Sequence, residues 1–197
     1  EQIEVLYSKA VPPSMYGADP KMGPVPKLEF KPGSTILKKG TTFIKDGIAL
    51  PCDIIWERDT GVKMRDGVTI YCDILRPVGG KNLPVILSWS PYGKALPQQP
   101  PMDVAPTQVS GLQKFEGPDP AYWCNHGYAV ANVDTRGSFY SEGDMHFWGT
   151  VVANDVYDFV EWAAIQEWCN GKVTMSGNSW LAIVQWFAAA GNPPHLA

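Results

Sequence analysis

The chain has 197 residues, 45% of them hydrophobic, which is enough for one globular domain with a hydrophobic core. Its formal net charge of −4 argues against the basic surface that nucleic acids and anionic lipids require. No stretch approaches the roughly 18 apolar residues of a membrane-spanning helix, and the first residues lack the pattern of a signal peptide. We therefore expect a protein that binds neither nucleic acid nor membranes.

The four cysteines are spread widely along the chain, at Cys52, Cys72, Cys124 and Cys169. They form no Cys-x-x-Cys pair, so the spacing indicates neither a zinc site nor a disulfide framework. We interpret them as mostly buried thiols in a reducing compartment. The predicted location is the cytoplasm.

Residues 1–50 form a proline- and glycine-rich extension with little hydrophobic periodicity. Such a segment buries little apolar area, so we interpret it as an arm on another surface or a flexible lead. Within it, residues 42–50 are the candidates for an edge strand. The remaining residues, 51–197, contain the regular predicted elements.

The first regular elements are β-strands. Residues 53–58 and 68–77 are β-rich and are separated by Asp66-Gly67, which predicts a hairpin. Residues 83–89 are almost entirely apolar, as expected for a strand buried on both faces. The proline-rich stretch 95–118 that follows is long for a connection, and we interpret it as a functional flap or a region that another segment covers.

Helices and strands alternate in the second half of the chain. A short helix is predicted after Asp119, a strand at 128–133, a helix from Thr150 to about residue 166, and a strand at 173–175. This alternation predicts an α/β fold in which a parallel sheet follows the hairpin. Ligands of such sheets bind beyond the carboxyl ends of the strands.

A serine lies at the last strand-to-helix turn. Gly177, Asn178 and Ser179 separate the strand from an apolar helix that ends near Gly191. A serine on such a turn suits a nucleophile, although the usual elbow is Gly-x-Ser-x-Gly and Leu181 stands at the second glycine position. The alternative is that Ser179 only caps the helix and that the glycine only makes a turn.

Six segments of the chain carry a family likeness: 62–70 (VKMRDGVTI), 90–94 (SPYGK), 127–137 (GYAVANVDTRG), 141–144 (SEGD), 166–173 (QEWCNGKV) and 177–180 (GNSW). In order and spacing they resemble the Xaa-Pro dipeptidyl-peptidase and cocaine-esterase-like family of serine hydrolases. The likeness covers about residues 56–196. It implies an incomplete α/β-hydrolase fold, in which residues 51–197 are the N-terminal part of the family's α/β-hydrolase domain.

The resemblance implies that Ser179 is the nucleophile. It also implies an oxyanion hole made by the hydroxyl of Tyr92 and the backbone N–H of Trp180, both of which would line the substrate pocket. The alternatives are that Tyr92 only packs a loop and that Trp180 is only a core residue. Gly177 and Asn178 are assigned structural roles beside the site.

Asp134 and Arg136 also lie at the carboxyl edge of the predicted sheet. In the α/β-hydrolase fold the catalytic acid follows the serine in sequence, whereas Asp134 precedes Ser179. We therefore predict that Asp134 and Arg136 form an ion pair that braces the loops around the nucleophile.

In the family, the catalytic acid and histidine, a helical cap and a β-sandwich come after the nucleophile helix. None of these is in this sequence, so the resemblance implies a fragment, nearly inactive by itself because a serine without its base is a poor nucleophile. His195 lies at the far end of the helix from Ser179, His126 suits a helix C-terminus, and His146 lies in a loop.

The predicted function is hydrolysis of an ester or amide through an acyl-enzyme, with a small ester, amide or short peptide as substrate. An esterase or acylase is the first interpretation, and an Xaa-Pro dipeptidyl-peptidase is the alternative within the class. A non-catalytic remnant used for binding or assembly is the alternative from another class. No metal or organic cofactor is implied, and the sequence leaves the oligomeric state open.

Overall fold

The computed structural model describes residues 29–95 and 104–197. This part of the chain forms a six-stranded sheet, three α-helices and a short 3-10 turn at Pro106–Gln108. The strands are β1 Gly33–Leu37, β2 Ile54–Lys63, β3 Thr69–Pro77, β4 Leu83–Ser90, β5 Ala129–Asp134 and β6 Cys169–Met175, and the helices are α1 Pro120–Asn125, α2 Thr150–Ala164 and α3 Trp180–Gly191.

The sheet has the strand order β1-β2-β3-β5-β4-β6. The pairs from β1 to β5 are antiparallel, and β5, β4 and β6 run parallel to one another. The predicted hairpin and the predicted parallel strands are therefore confirmed. The carboxyl ends of β4, β5 and β6 lie at one edge, so the segments that follow these strands meet there.

The first edge strand lies earlier than the sequence predicts. Residues 33–37 pair with β2, and residues 42–50 are not a strand, so the prediction for 42–50 is wrong. Leu50 is buried in the core, and its N–H donates to the Thr41 carbonyl. The buried side chain of Leu50 thus anchors a loop and is not part of a strand.

Helix boundaries follow the local signals closely. The Asp119 carboxylate accepts a hydrogen bond from the Ala121 N–H at the start of α1, as an N-cap residue should. Helix α3 stops before Asn192, which has the left-handed conformation that commonly ends helices. Helix α2 begins at Thr150 as predicted, but its N-cap residue is Gly149, which has no side chain to cap the helix.

Both faces of the sheet are covered. Alternate residues of each strand point to the same face, so Val85, Leu87 and Trp89 of β4 pack against the face that holds α2 and α3. Trp89 meets Phe159 of α2 edge to face, with the ring centroids 5.8 Å apart. A second core, around Leu75, packs under α1 on the opposite face. In the part of the chain described, no helix combines the length and apolar character needed to cross a lipid bilayer.

The region predicted as a flap is fastened to the sheet where the structure describes it. Ser110, Leu112 and Lys114 are buried, and the Lys114 ammonium donates to the Val133 carbonyl of β5 at 2.8 Å. Residues 96–103 of the predicted flap lie outside the described residues. The described part of this segment therefore forms one wall of the carboxyl edge of the sheet.

Candidate active site

Ser179 stands at a strained turn between β6 and α3. Its backbone has φ 53° and ψ −122°, a conformation that non-glycine residues rarely adopt and that costs of order 1–3 kcal/mol. The residue is exposed, and although it occupies the N-cap position its side chain makes no capping hydrogen bond. The hydroxyl is therefore left available for other partners, which argues against a simple capping role.

Gly177 is required by the shape of this turn. Its φ is +141°, and a Cβ at this position would lie 2.5 Å from the Cβ of Leu181. Leu181 is almost fully buried and fills the space beside the turn. The absence of a Cβ at Gly177 thus leaves room for the Leu181 side chain at the position where the usual elbow has its second glycine.

The side chain of Tyr92 lies beside that of Ser179. Tyr92 is in the loop after β4, and the Ser179 side chain is near enough to influence its pKa as a hydrogen-bonding neighbour. Burial and, secondly, the negative charge of Glu116 raise the pKa of Tyr92 above its ordinary value, although the Ser179 side chain acts in the opposite direction. The phenol therefore keeps its proton at neutral pH and can donate a hydrogen bond.

Trp180 contributes to the site in two ways. It is the first residue of α3, where the backbone N–H has no acceptor within the helix. Its side chain, 8% exposed, lies against Phe147 and Trp148 with ring centroids 5.0 and 4.8 Å away. Tyr92 lies on the same apolar wall, 6.5 Å from the Trp180 ring.

Glu116 is a neighbour of the site that the sequence did not single out. Its carboxylate accepts a hydrogen bond of 3.2 Å from the Asn178 side chain, and the adjacent Phe115 ring packs edge to face on Tyr92. Burial raises the pKa of Glu116. No local motif marks this residue, because its segment approaches the turn only through the tertiary fold.

The predicted ion pair between Asp134 and Arg136 is wrong. The Arg136 guanidinium binds Asp155 of α2 through two hydrogen bonds of 2.9 and 2.6 Å, and it contacts Asp66 of the β2–β3 turn at 2.8 Å. Asp134 instead faces the ammonium of Lys94, at 3.5 Å. Strand β5 ends at Asp134 and the chain turns at Arg136 and Gly137, so the two side chains are carried to different partners.

Asp134 belongs to a buried cluster of charges on the α1 side of the sheet. The other members are Lys94, Lys114, Asp59 and Asp73, none of which is more than 5% exposed. Burial raises the pKa of Asp134 to about 6, and burial lowers the pKa of Lys114 to about 8. Keeping these buried groups charged near neutral pH therefore lowers the free energy of unfolding.

This cost gives a pH-dependent prediction for Asp134→Asn. The folded-state pKa of Asp134 lies above its unfolded value, so the wild-type protein should lose stability relative to the variant as the pH rises from 4 to 7. The difference in the free energy of unfolding between the two proteins should change by about 2–3 kcal/mol over this range. In the variant, two aspartates still face the two lysines of the cluster. Urea unfolding of the full-length protein at pH 4.5 and 7.5 measures it.

Asp53→Asn is the control for that experiment. Hydrogen bonds from the Lys39 backbone and the Lys38 side chain lower the pKa of Asp53, so its contribution to stability is lost only below about pH 4. The difference between the wild-type protein and this variant should therefore stay nearly constant between pH 4.5 and 7.5. A difference between Asp134→Asn and wild type that stays constant with pH would contradict the prediction.

The contacts of the three histidines in the described part of the chain do not include Ser179. His195 contacts Glu161 at 2.7 Å, and the His126 ring contacts the Tyr122 carbonyl at 2.7 Å at the end of α1. His146 is exposed in the loop before α2. Within residues 29–95 and 104–197, no histidine is hydrogen-bonded to Ser179.

Residues 66–197 match the family described as X-Pro dipeptidyl-peptidase (S15 family), which is well over half of the chain. The chain belongs to the S15 family. The family resemblance inferred from its motifs is therefore confirmed.

Relatives of this S15 family member include the cocaine esterase of Rhodococcus sp. (strain MB1 Bresler). It is 37% identical over 128 residues, which cover 65% of this chain and 20% of the esterase. This chain thus spans about a fifth of the length of the curated relatives that it matches.

Solved structures of hydrolases resemble this chain as well. A CocE/NonD family hydrolase from Staphylococcus aureus matches with a TM-score of 0.73 and 35% identity, over 87% of this chain and 32% of that one. An α-amino acid ester hydrolase matches with a TM-score of 0.59 and 27% identity, over 80% and 26% of the two chains. The S15 family member described here therefore has the α/β-hydrolase fold in part, as its sequence predicts.

Proposed function

We propose that this protein is a serine hydrolase that cleaves an ester or amide bond through an acyl-enzyme intermediate. In this mechanism the Ser179 oxygen attacks the substrate carbonyl carbon, and the resulting oxyanion accepts hydrogen bonds from the Tyr92 hydroxyl and the Trp180 backbone N–H. The observation that carries the proposal is the strained backbone of Ser179 together with the nearness of its side chain to that of Tyr92.

The proposed oxyanion hole combines two different donors. The phenol of Tyr92 is half-buried and keeps its proton because its pKa is raised. The N–H of Trp180 lies at the N-terminus of α3, where the helix dipole favours negative charge. The Tyr92 side chain lies beside Ser179, and we propose that its hydroxyl donates to the oxyanion as the carbonyl is attacked.

The general base must come within hydrogen-bond reach of Ser179, and neither His126 nor His195 has this position. We infer that a histidine outside these 197 residues takes the proton of Ser179 and later gives it to the leaving group. The 197-residue chain by itself should then be nearly inactive.

An ester is the favoured substrate. Its acyl group would lie against the apolar wall of Trp180, Phe147 and Tyr92. The second candidate activity is that of an X-Pro dipeptidyl-peptidase, because the S15 family is described by this activity. Hydrolysis of an aryl ester compared with that of a Gly-Pro anilide by the full-length protein separates these two activities.

Labelling with a fluorophosphonate tests the class of reaction. The full-length protein should be labelled, Ser179→Ala should not, and Ser176→Ala should be labelled like the wild type because Ser176 lies outside the proposed chemistry. An unlabelled wild-type protein would instead favour a non-catalytic member that keeps the fold for binding or assembly.

A further inference from the structure

The loop that carries Tyr92 is held at its far end by a buried lysine. Tyr92 is half-buried at the site, and the chain turns at Gly93, with φ +94°, before Lys94 enters the protein. The Lys94 side chain is only 4% exposed. A lysine is rarely buried to this extent unless carboxylates surround it.

Three carboxylates from three different strands surround the Lys94 ammonium. Its Nζ atom lies 2.6 Å from Asp59 of β2, 3.5 Å from Asp134 of β5 and 4.0 Å from Asp73 of β3. Asp73 also accepts hydrogen bonds from the Trp56 indole and the Asp59 backbone N–H. The carboxylates are therefore fixed by the sheet, and they fix the position of the ammonium in turn.

Displacement of this ammonium would leave three buried carboxylates with Lys114 as the one lysine described in the cluster, which is strongly unfavourable. Tyr92 precedes Lys94 by only two residues in the same short loop. Any outward shift of Lys94 would therefore move the Tyr92 ring relative to Ser179.

We propose that Lys94 is a positioning residue of the oxyanion hole, which anchors the loop through Asp59, Asp73 and Asp134 so that the Tyr92 hydroxyl points at the reacting carbonyl. This inference rests on the proposed function, because it assigns Lys94 a role only if Tyr92 stabilises the oxyanion. Lys94 itself contacts neither Ser179 nor the substrate in this proposal, and it acts through Tyr92.

A double-mutant cycle in the full-length protein tests this role. Tyr92→Phe should lower kcat for an aryl ester by about 10²–10³-fold, as loss of an oxyanion donor does. Lys94→Met should lower kcat by about 10–100-fold with KM changed less than about threefold, because misplacement by an ångström can cost that much. Combined with Tyr92→Phe, it should cause almost no further loss.

The control is Lys38→Met, which also removes a lysine paired with an aspartate, at 2.9 Å from Asp53, but on the exposed surface. It should leave kcat unchanged. If circular dichroism shows that Lys94→Met does not fold, the same cycle is measured with Asp59→Asn, which weakens the anchor and keeps the lysine.

Effects of Lys94→Met, or of Asp59→Asn in its place, that multiply with the effect of Tyr92→Phe would overturn the positioning role. So would an anchor variant that retains the wild-type kcat. Either result, found together with loss of hydrolysis in Ser179→Ala, would leave the serine hydrolase proposal intact. Undiminished hydrolysis in Ser179→Ala would instead refute the proposed function and this inference with it.

Discussion

Replacing Ser179 with alanine in the full-length protein is expected to lower kcat for an aryl ester by about 10⁶-fold. The reason is that the proposed attack needs an oxygen at this strained turn, and alanine offers none. The remaining rate should come from binding and from the two oxyanion donors, which in a serine protease still exceed the reaction in water by about 10³–10⁴. Steady-state kinetics with a chromogenic ester measures the loss.

The matched control for this substitution is Ser176→Ala, three residues earlier. The Ser176 backbone N–H donates to the Leu87 carbonyl of β4, and its backbone carbonyl accepts from the Ser88 hydroxyl, so alanine at 176 can keep both bonds. This variant should keep kcat within about threefold of the wild type, as surface-like substitutions generally do. Alanine at His126, His146 or His195 should also leave kcat nearly unchanged, because none is the proposed base. A large loss in one of these three variants would show that the base lies within this chain.

Arg136→Met is expected to lower the free energy of unfolding by about 3–5 kcal/mol. The Arg136 side chain is 7% exposed and Asp155 is 2% exposed, so the variant leaves a buried carboxylate without its counter-charge. Burial already raises the pKa of Asp155, and the loss of Arg136 should raise it further until the group takes up a proton. Urea denaturation of the full-length variant at pH 7 measures the change.

Arg65→Met provides the comparison, because Arg65 also binds an aspartate of α2 through several hydrogen bonds. Its partner is Asp158, and the Arg65 side chain is 50% exposed. Water screens this pair, so the loss should be below about 1 kcal/mol. Equal losses in the two variants would contradict the view that burial makes the Arg136 pair important.

Much of the fold follows from local signals in the sequence. The Asp66-Gly67 turn predicts the β2–β3 hairpin, and the cap at Asp119 and the stop at Gly191 bound two of the helices correctly. These features depend on residues close together in the chain, which is why the sequence predicts them. The Gly-x-Ser turn is likewise local, and the structure shows the strained backbone expected of it.

The partners of charged residues could not be predicted in this way. Asp134 and Arg136 are two residues apart, which suggested a pair, yet Lys94 and Asp155 are their actual neighbours. The insertion of β5 between β3 and β4 sets these contacts, and that order depends on packing across the whole sheet. Glu116 was missed for the same reason.

The strand order also has a consequence for how the protein folds. The β2–β3 hairpin brings together residues that are near in sequence, whereas β4 pairs with β6 through contacts such as Leu87 with Met175. Distant pairings must overcome the entropy of closing a long loop, so they form slowly. The meeting of Tyr92 and Ser179 depends on that last pairing. We therefore expect refolding to restore most of the secondary structure before any reactivity returns.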